Sequence, residues 1–354
     1  MSILSLTGTA HARGLAQAAG ADAARIRRAT VGRVEQACAD GVFDSAAMAY
    51  LAAQRDFMQV ADPAGMAELA GIAEGFGLPE PDLFQHLHLG TLRDIKGGAA
   101  MIDGCSAWAV GVGPDGPLVV KNRDFSGLHL GIQRVVRHIG PDVKTGAMLC
   151  LGSLGSPGAY SSGMNAAGLA LADTQVPVTT HRVGWLRYFL MTRILAECSS
   201  VAEALTFIKR IPHAGGGSLI LADRSGDTAA IELGAAGPQI STGGTVWRTN
   251  HYISDALAAD TLKPKGDVIA SNSPDRLACL TKRLPGREWS VADAKRLMAT
   301  HPDDGPDGAP ICQHGEGEGS MTISSVVYCC KLDRMEICTA NPCSGDWVRL
   351  SLSA

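Results

Sequence analysis

No run in the 354-residue sequence reaches the roughly 18 to 20 consecutive apolar positions that span a bilayer, and the opening Met1-Ser2-Ile3-Leu4-Ser5-Leu6 is too short for a signal-peptide core. A cytoplasmic location without membrane contact is therefore expected. An excess of one charge is lacking too. The formal net charge is -4, with acids and bases interspersed, so no basic stripe exists to track phosphates and no nucleic-acid partner is expected. The ten cysteines contain no C-x-x-C pair of the kind structural zinc sites use. Although Cys312, Cys329, Cys330, Cys338 and Cys343 crowd the C-terminal stretch, the spacing predicts neither a metal site nor a disulfide framework, and most of them read as buried thiols. His86 and His88 lack an accompanying carboxylate or cysteine motif, so they read as packed or helix-surface histidines. Internal repeats and low-complexity tracts are absent as well, and nothing implies a cofactor.

What is present is apolar material for a large core: 46% hydrophobic and 19% charged residues describe a globular chain, organised as one large domain or two intimate ones. Up to about residue 97 the sequence is alanine-rich with helical spacing, and Asp62-Pro63 followed by Gly75 and Gly77 reads as cap, first turn and stop. After Gly97-Gly98 the pattern changes to short β-branched runs divided by glycine turns. Ser106 to Val112, a Gly113-Pro114-Asp115-Gly116 turn and Leu118 to Lys121 form a β-hairpin pattern. Further strands are expected near 132–138, 147–151, 168–172, 218–222, 228–233, 245–249, 322–330, 334–339 and 347–351. Helices at about 184–197, 200–210, 273–283 and 290–300 arrive in pairs, not between every strand, which predicts mainly antiparallel sheets with helical layers. Glycine and proline clusters at 303–319 predict an exposed loop near the functional site.

Asp103-Gly104-Cys105-Ser106 acquires meaning from its context. A hairpin brings its two ends together, so Asp124, in Lys121-Asn122-Arg123-Asp124, is expected beside Cys105. If cleavage of the Gly104-Cys105 bond makes Cys105 a chain N-terminus, its α-amine, with a pKa of about 8, can act as base for its own thiol at about 8.5. No histidine is then needed. Asp124 would hold or orient that amine, and Gly104 would tolerate a backbone strained toward attack.

These residues resemble the acyl-coenzyme A:6-aminopenicillanic acid acyltransferase family, the C45 class of peptidase-like N-terminal-nucleophile proteins, and more distantly the choloylglycine hydrolases. The resemblance covers nearly the whole chain. Gly104-Cys105-Ser106 matches the family's Gly-Cys-Thr start, with Ser106 for threonine, and Lys121-Asn122-Arg123-Asp124-Phe125 matches its Gly-x-Asn-x-Asp-Phe turn. Lys121 stands where choloylglycine hydrolases carry arginine. Gly163-Met164-Asn165-Ala166-Ala167-Gly168-Leu169 is similar to a family segment, although Asn165 also reads as a plain hairpin turn residue. Thr249-Asn250-His251 matches a triplet whose asparagine serves the oxyanion hole, which makes Asn250 the expected oxyanion donor. In Ser273-Pro274-Asp275-Arg276, Ser273 would cap a helix, and Arg276 would either pair with Asp124 or be a solvated helix charge. Ile311-Cys312-Gln313-His314 resembles an Ile-Cys-Arg stretch with Gln313 in place of arginine, and Glu68 to Gly75 resembles a family helix without evident chemistry.

The resemblance implies an α+β fold, the four-layer αββα sandwich of N-terminal-nucleophile hydrolases, with residues 1–104 as a helical chain wrapped on the β-rich residues 105–354 and retained after cleavage. It implies a cysteine amidohydrolase or acyltransferase acting on small N-acyl amides or thioesters, with Cys105, Asp124 and Asn250 catalytic and Lys121, Asn165 and Arg276 in support. An acyl-CoA-dependent N-acyltransferase and a non-catalytic binding protein on the same fold are the alternatives. A conventional Cys-His protease lacks both a cysteine signature and a spaced histidine.

Overall fold

The segment Ser106-Ala107-Trp108-Ala109-Val110 alternates small and large side chains yet is buried at every position, so the strand it forms is covered on both faces. Ala107 and Ala109 join an apolar layer between two sheets, while Trp108 and Val110 join a second layer beneath two helices. That division organises the whole chain. The computed structural model describes residues 2–98, 104–264, 269 and 272–352; Asp103 of the sequence motif lies outside them.

An eight-stranded sheet runs β1 (Ile3–Thr7), β4 (Gln133–Ile139), β5 (Met148–Ser153), β6 (Ser162–Asn165), β7 (Ala170–Thr174), β8 (Ser218–Ala222), β9 (Thr228–Gly234) and β10 (Gly237–Thr242) in spatial order. A six-stranded sheet runs β11 (Thr245–Arg248), β2 (Ser106–Val110), β3 (Leu118–Ser126), β12 (Ser320–Cys329), β13 (Arg334–Cys338) and β14 (Val348–Ser351). Among the described residues, every pairing within these two sheets is antiparallel except β1 with β4.

Along β5 and β8, Leu149, Leu151, Ile220 and Ala222 face the other sheet, whereas Met148, Cys150, Leu219 and Leu221 face helices. Those helices are α1 (Ala10–Ala16), α2 (Ala23–Ala29), α3 (Val31–Ala39), α4 (Ser45–Ala61), α5 (Pro63–Phe76), α6 (Glu80–Ile95), α7 (Arg187–Glu197) and α8 (Val201–Arg210). On the far side, α9 (Ser273–Arg283) and α10 (Val291–Met298) cover the six-stranded sheet through Leu280, Leu284, Leu297 and Met298. The result is the four-layer αββα sandwich that the resemblance implies.

Residues up to 97 are not wholly helical, because β1 adds a strand to the eight-stranded sheet. Nor do they form a separate unit: Leu69, Ile72, Leu83 and Leu87 share one core with Phe189, Leu190 and Leu195 of α7. The caps of α5 follow the expected chemistry, with Asp62 accepting from the Gly65 N–H and Gly77 closing the helix in the left-handed region at φ 63°. The segment Glu68 to Gly75 proves to be a helix-crossing device. A Cβ at Gly71 would strike the His11 carbonyl, and one at Gly14 the Glu68 carbonyl, so the two glycines let α1 and α5 touch main chain to main chain. Because neither backbone can yield, Gly71→Ala is expected to cost the upper part of the about 1–3 kcal/mol typical of overpacking, more than the about 1 kcal/mol gained in helix propensity. A thermal melt should show a lower Tm; an unchanged Tm would contradict this packing.

His86 and His88 are buried on α6, packed and not on the helix surface, and His88 Nδ1 meets the Phe84 carbonyl at 2.7 Å. All ten cysteines are free, and all but Cys38 and Cys343 are buried. Among the described residues no helix is long and apolar enough to cross a membrane.

Candidate active site

The β2–β3 hairpin pairs Ser106 with Asn122 and Val110 with Leu118, which sets Cys105, one residue before β2, across from the Arg123–Asp124 end of β3. The Cys105 thiol lies 3.7 Å from the Asp124 carbonyl oxygen. Hairpin closure therefore brings Cys105 and Asp124 together. Asp124 is wholly buried; its Oδ1 accepts from the Thr322 hydroxyl at 2.6 Å and its Oδ2 from Gln313 Nε2 at 2.5 Å. A bulge in β12 between Thr322 and Ser324 turns Thr322 toward Asp124, a use of bulges common beside active sites. Gln313 Nε2 also donates to the Gly104 carbonyl at 3.0 Å. The expected exposed loop at 303–319 thus delivers Gln313, the residue that departs from the family pattern, to the bond preceding Cys105. A Cβ at Gly104 would press into Gln313 Nε2 and approach Arg276 Nη2 at 3.1 Å, so a larger residue there would displace the Gln313 amide.

Arg276 is fully buried, so it is not a solvated helix charge. Its guanidinium donates to the Cys105 carbonyl, to Ser106 Oγ at 3.0 Å, to Asn250 Oδ1 at 2.9 Å and to Asn272 Oδ1 at 2.7 Å. Burial lowers its pKa, and the nearby Asp124 and Cys105 oppose that shift. Ser273 does not cap α9 as its position suggested; Asn272 occupies the cap position, without a side-chain cap bond. The Ser273 hydroxyl instead accepts from the Asn250 N–H at 2.7 Å and bonds Thr249 Oγ1 at 2.9 Å, which pins the Thr249-Asn250-His251 turn. Asn250 is held at both ends of its amide, with Oδ1 on Arg276 and Nδ2 donating to the Gln175 carbonyl at 2.7 Å. A primary amide has two N–H bonds, so one Nδ2 hydrogen is left to donate beside the cleft that Gln175 lines.

The cleft is small, about 30 Å³, and Cys105, Lys121, Arg123, Asp124, Tyr160 and Gln175 are among the residues that line it. Lining it is a buried ion cluster of which the sequence pattern pointed only to Lys121. Asp173 of β7 pairs with Lys121 and, at 2.7 Å, with Arg187 Nε; Lys121 also donates to the Ser161 carbonyl at 3.2 Å. Burial alone would raise the Asp173 carboxyl, but the two cations outweigh it and hold the pKa below the ordinary value. The available signal was a lone acid in an otherwise apolar strand, Leu169-Ala170-Leu171-Ala172-Asp173. Arg123 lies over the Phe125 and Tyr160 rings, 5.4 and 5.5 Å from their centroids, and donates to Gln133 Oε1 at 3.1 Å. Lys121, Arg123, Arg187 and Arg276 therefore outnumber Asp124 and Asp173 around Cys105. Burial still pushes the Cys105 thiol up, helped by the two carboxylates and opposed by Lys121. Among the described residues, no histidine lines the cleft.

Two motif asparagines stand outside this arrangement. Asn165 is buried in the β6–β7 hairpin, where Nδ2 donates to the Leu195 and Cys198 carbonyls at 2.9 and 2.8 Å and Oδ1 accepts from the Leu169 N–H at 3.1 Å. All its capacity toward the fold is used, so it is a turn residue and not a supporting group of the cleft. Asn122 donates to the Met298 and Ile311 carbonyls at 2.8 and 2.9 Å, on the opposite side of β3 from Lys121. It ties α10 to the sheet.

A family model described as acyl-coenzyme A:6-aminopenicillanic acid acyl-transferase matches residues 112–344. The match is shorter than the near-complete coverage expected and begins after Cys105. No curated protein matches the chain. Among solved structures, the chain is similar to a mutant of conjugated bile acid hydrolase from Clostridium perfringens, at 13% identity over 70% of this chain and 92% of that one, with a TM-score of 0.45. It is similar to the Caenorhabditis elegans ortholog of N-acylethanolamine-hydrolyzing acid amidase, at 13% identity over 64% and 94%, with a TM-score of 0.42. Penicillin V acylase from Agrobacterium tumefaciens is 16% identical over 67% of this chain and 83% of that one, with a TM-score of 0.36. With the αββα layers of its own fold and a model match over more than half its length, the chain belongs to the acyl-coenzyme A:6-aminopenicillanic acid acyl-transferase family.

Proposed function

We propose that this chain is an autoproteolytically activated amidohydrolase or acyltransferase with Cys105 as its nucleophile. The observation that carries the reading is the bridge made by Gln313, whose one amide nitrogen donates both to the Gly104 carbonyl and to Asp124 beside the Cys105 thiol. In maturation, Cys105 Sγ attacks the Gly104 carbonyl carbon, and Gln313 stabilises the charge that develops on its oxygen. The Gly104–Cys105 amide bond breaks as the thioester forms, the nitrogen takes a proton, and water then hydrolyses the thioester. The products are a Gly104 carboxylate and a free Cys105 amine. Residues 1–104 remain attached as a partner chain, because their helices share a core with α7 and β1 remains paired with β4.

In turnover, the Cys105 amine accepts the thiol proton, and the thiolate attacks an amide or thioester carbonyl. Asn250 donates its free N–H to the oxyanion, and the leaving amine or thiol departs with the proton. The acyl group then passes from sulfur to water, or to an amine where water is excluded. The family supports small N-acyl amides as substrates, and the surplus of cations around Cys105 favours an anionic group on them. Amine release from a panel of N-acyl amides, in matched pairs with and without a carboxylate and with and without acyl-CoA, tests the reading. No release from any member would contradict it.

Asp124→Asn keeps the shape of the side chain but removes the charge that orients the amine. The variant is expected to fold normally by circular dichroism and to lose on the order of a hundredfold or more in kcat. Wild-type cleavage together with wild-type turnover would remove Asp124 from the mechanism.

A further inference from the structure

Outside the cleft, three chain segments bring four metal-ligating side chains to one point. His301 follows α10, Cys312 and His314 flank Gln313, and Cys343 lies in the short 3-10 turn Pro342–Ser344 after β13. One donor atom from each falls within 4.8 Å of all the others. We propose that His301, Cys312, His314 and Cys343 form a structural tetrahedral zinc site.

The distances carry the proposal. With zinc–sulfur bonds of about 2.3 Å and zinc–nitrogen bonds of about 2.0–2.1 Å, tetrahedral geometry requires about 3.8 Å between two sulfurs, 3.6 Å between sulfur and nitrogen and 3.3 Å between two nitrogens. The structure has Cys312 Sγ and Cys343 Sγ 3.8 Å apart, His314 Nε2 at 3.8 and 3.4 Å from those sulfurs, and His301 Nε2 at 3.1 Å from His314 Nε2. His314 Nε2 thus faces three partners at once. A ring nitrogen has one proton or one lone pair and cannot serve all three as hydrogen bonds, whereas a shared central cation satisfies every one.

The surroundings suit ligands. Asn341 Nδ2 donates to Cys312 Sγ at 3.6 Å, which stabilises a thiolate, and the Asp304 carboxylate lies 3.8 Å from His301 Nδ1, the ring nitrogen turned away from the cluster. Two sulfurs and two imidazoles in tetrahedral array select zinc among common divalent ions. Sequence spacing hid the site because its ligands come from three loops, with no C-x-x-C pair. An ion here joins those loops and fixes the backbone on both sides of Gln313, whose own carbonyl already accepts from Asn341 at 2.7 Å.

The test uses the full-length protein purified under reducing conditions and dialysed against a weak chelator. Metal analysis should find one zinc per chain, and cobalt replacing it should give the visible bands of a tetrahedral ion with a thiolate charge-transfer band. Because Cys343 is exposed, Cys343→Ser should fold, yet bind zinc on the order of a hundredfold more weakly and lose the zinc-dependent rise in Tm. Cys38→Ser, at an exposed cysteine elsewhere, should keep one zinc. A chain that takes up no added zinc, a cobalt spectrum without thiolate bands, equal zinc binding by Cys343→Ser, or a Cys312–Cys343 disulfide in the chain as isolated would each overturn the site.

Discussion

Cys105→Ala is expected to accumulate as one uncut, full-length chain with no measurable turnover. The substitution removes the atom that would attack the Gly104 carbonyl and the atom that would carry the acyl group, so maturation and catalysis fail together. Folding should survive. The Arg276 bond runs to the Cys105 main-chain carbonyl and the hairpin register depends on β2 and β3, so both persist without the sulfur. The measurements are a denaturing gel, activity on whichever N-acyl amide the wild type accepts, and a melt to verify the fold. A variant that is still cut between residues 104 and 105 would place the nucleophile elsewhere.

Asn250→Ala is expected to separate the two reactions. Its Nδ2 lies beside the cleft at the Gln175 carbonyl, whereas the Gly104 carbonyl is held by Gln313. An oxyanion donor matters only where charge develops on the oxygen it faces. Turnover should therefore fall on the order of a hundredfold or more in kcat, with cleavage slowed much less. Gln313→Ala should do the reverse to cleavage, slowing the appearance of fragments in a time course. Part of the Asn250→Ala loss would come through Arg276, which loses its Asn250 acceptor while still donating to Cys105 and Ser106. Equal loss of both reactions in Asn250→Ala would mean one shared oxyanion hole, and an unchanged kcat would reduce Asn250 to a turn residue.

The regular elements that local pattern specifies were readable in advance. The strand expected at 218–222 is β8, and the helix expected at 273–283 is α9. What escaped depends on distant partners. β1 exists because β4, far along the chain, offers a parallel edge; β6 is short, β10 is polar, and their neighbours hold them in the sheet. The site follows the same division. Cys105 and Asp124 were legible because one hairpin joins them. Asp173, Arg187 and Gln313 reach the cleft from other strands, helices and loops, and no spacing rule connects them. Asn165 was misplaced because a hairpin turn and a catalytic loop use the same residue types, and Ser273 because a serine before a helix signals a cap whether or not its hydroxyl is already engaged. The loop carrying Gln313 shows the limit most sharply: its departure from arginine was visible, but its contact with the Gly104 carbonyl was not.

The proposed self-cleavage between Gly104 and Cys105 would expose the nucleophile as a chain N-terminus. The intact masses of the purified wild-type protein under denaturing conditions test it most directly. Two species are expected, one ending at Gly104 and one beginning with a free Cys105 amine, that elute together under native conditions. A single full-length mass from a preparation that hydrolyses or transfers an acyl group would contradict it.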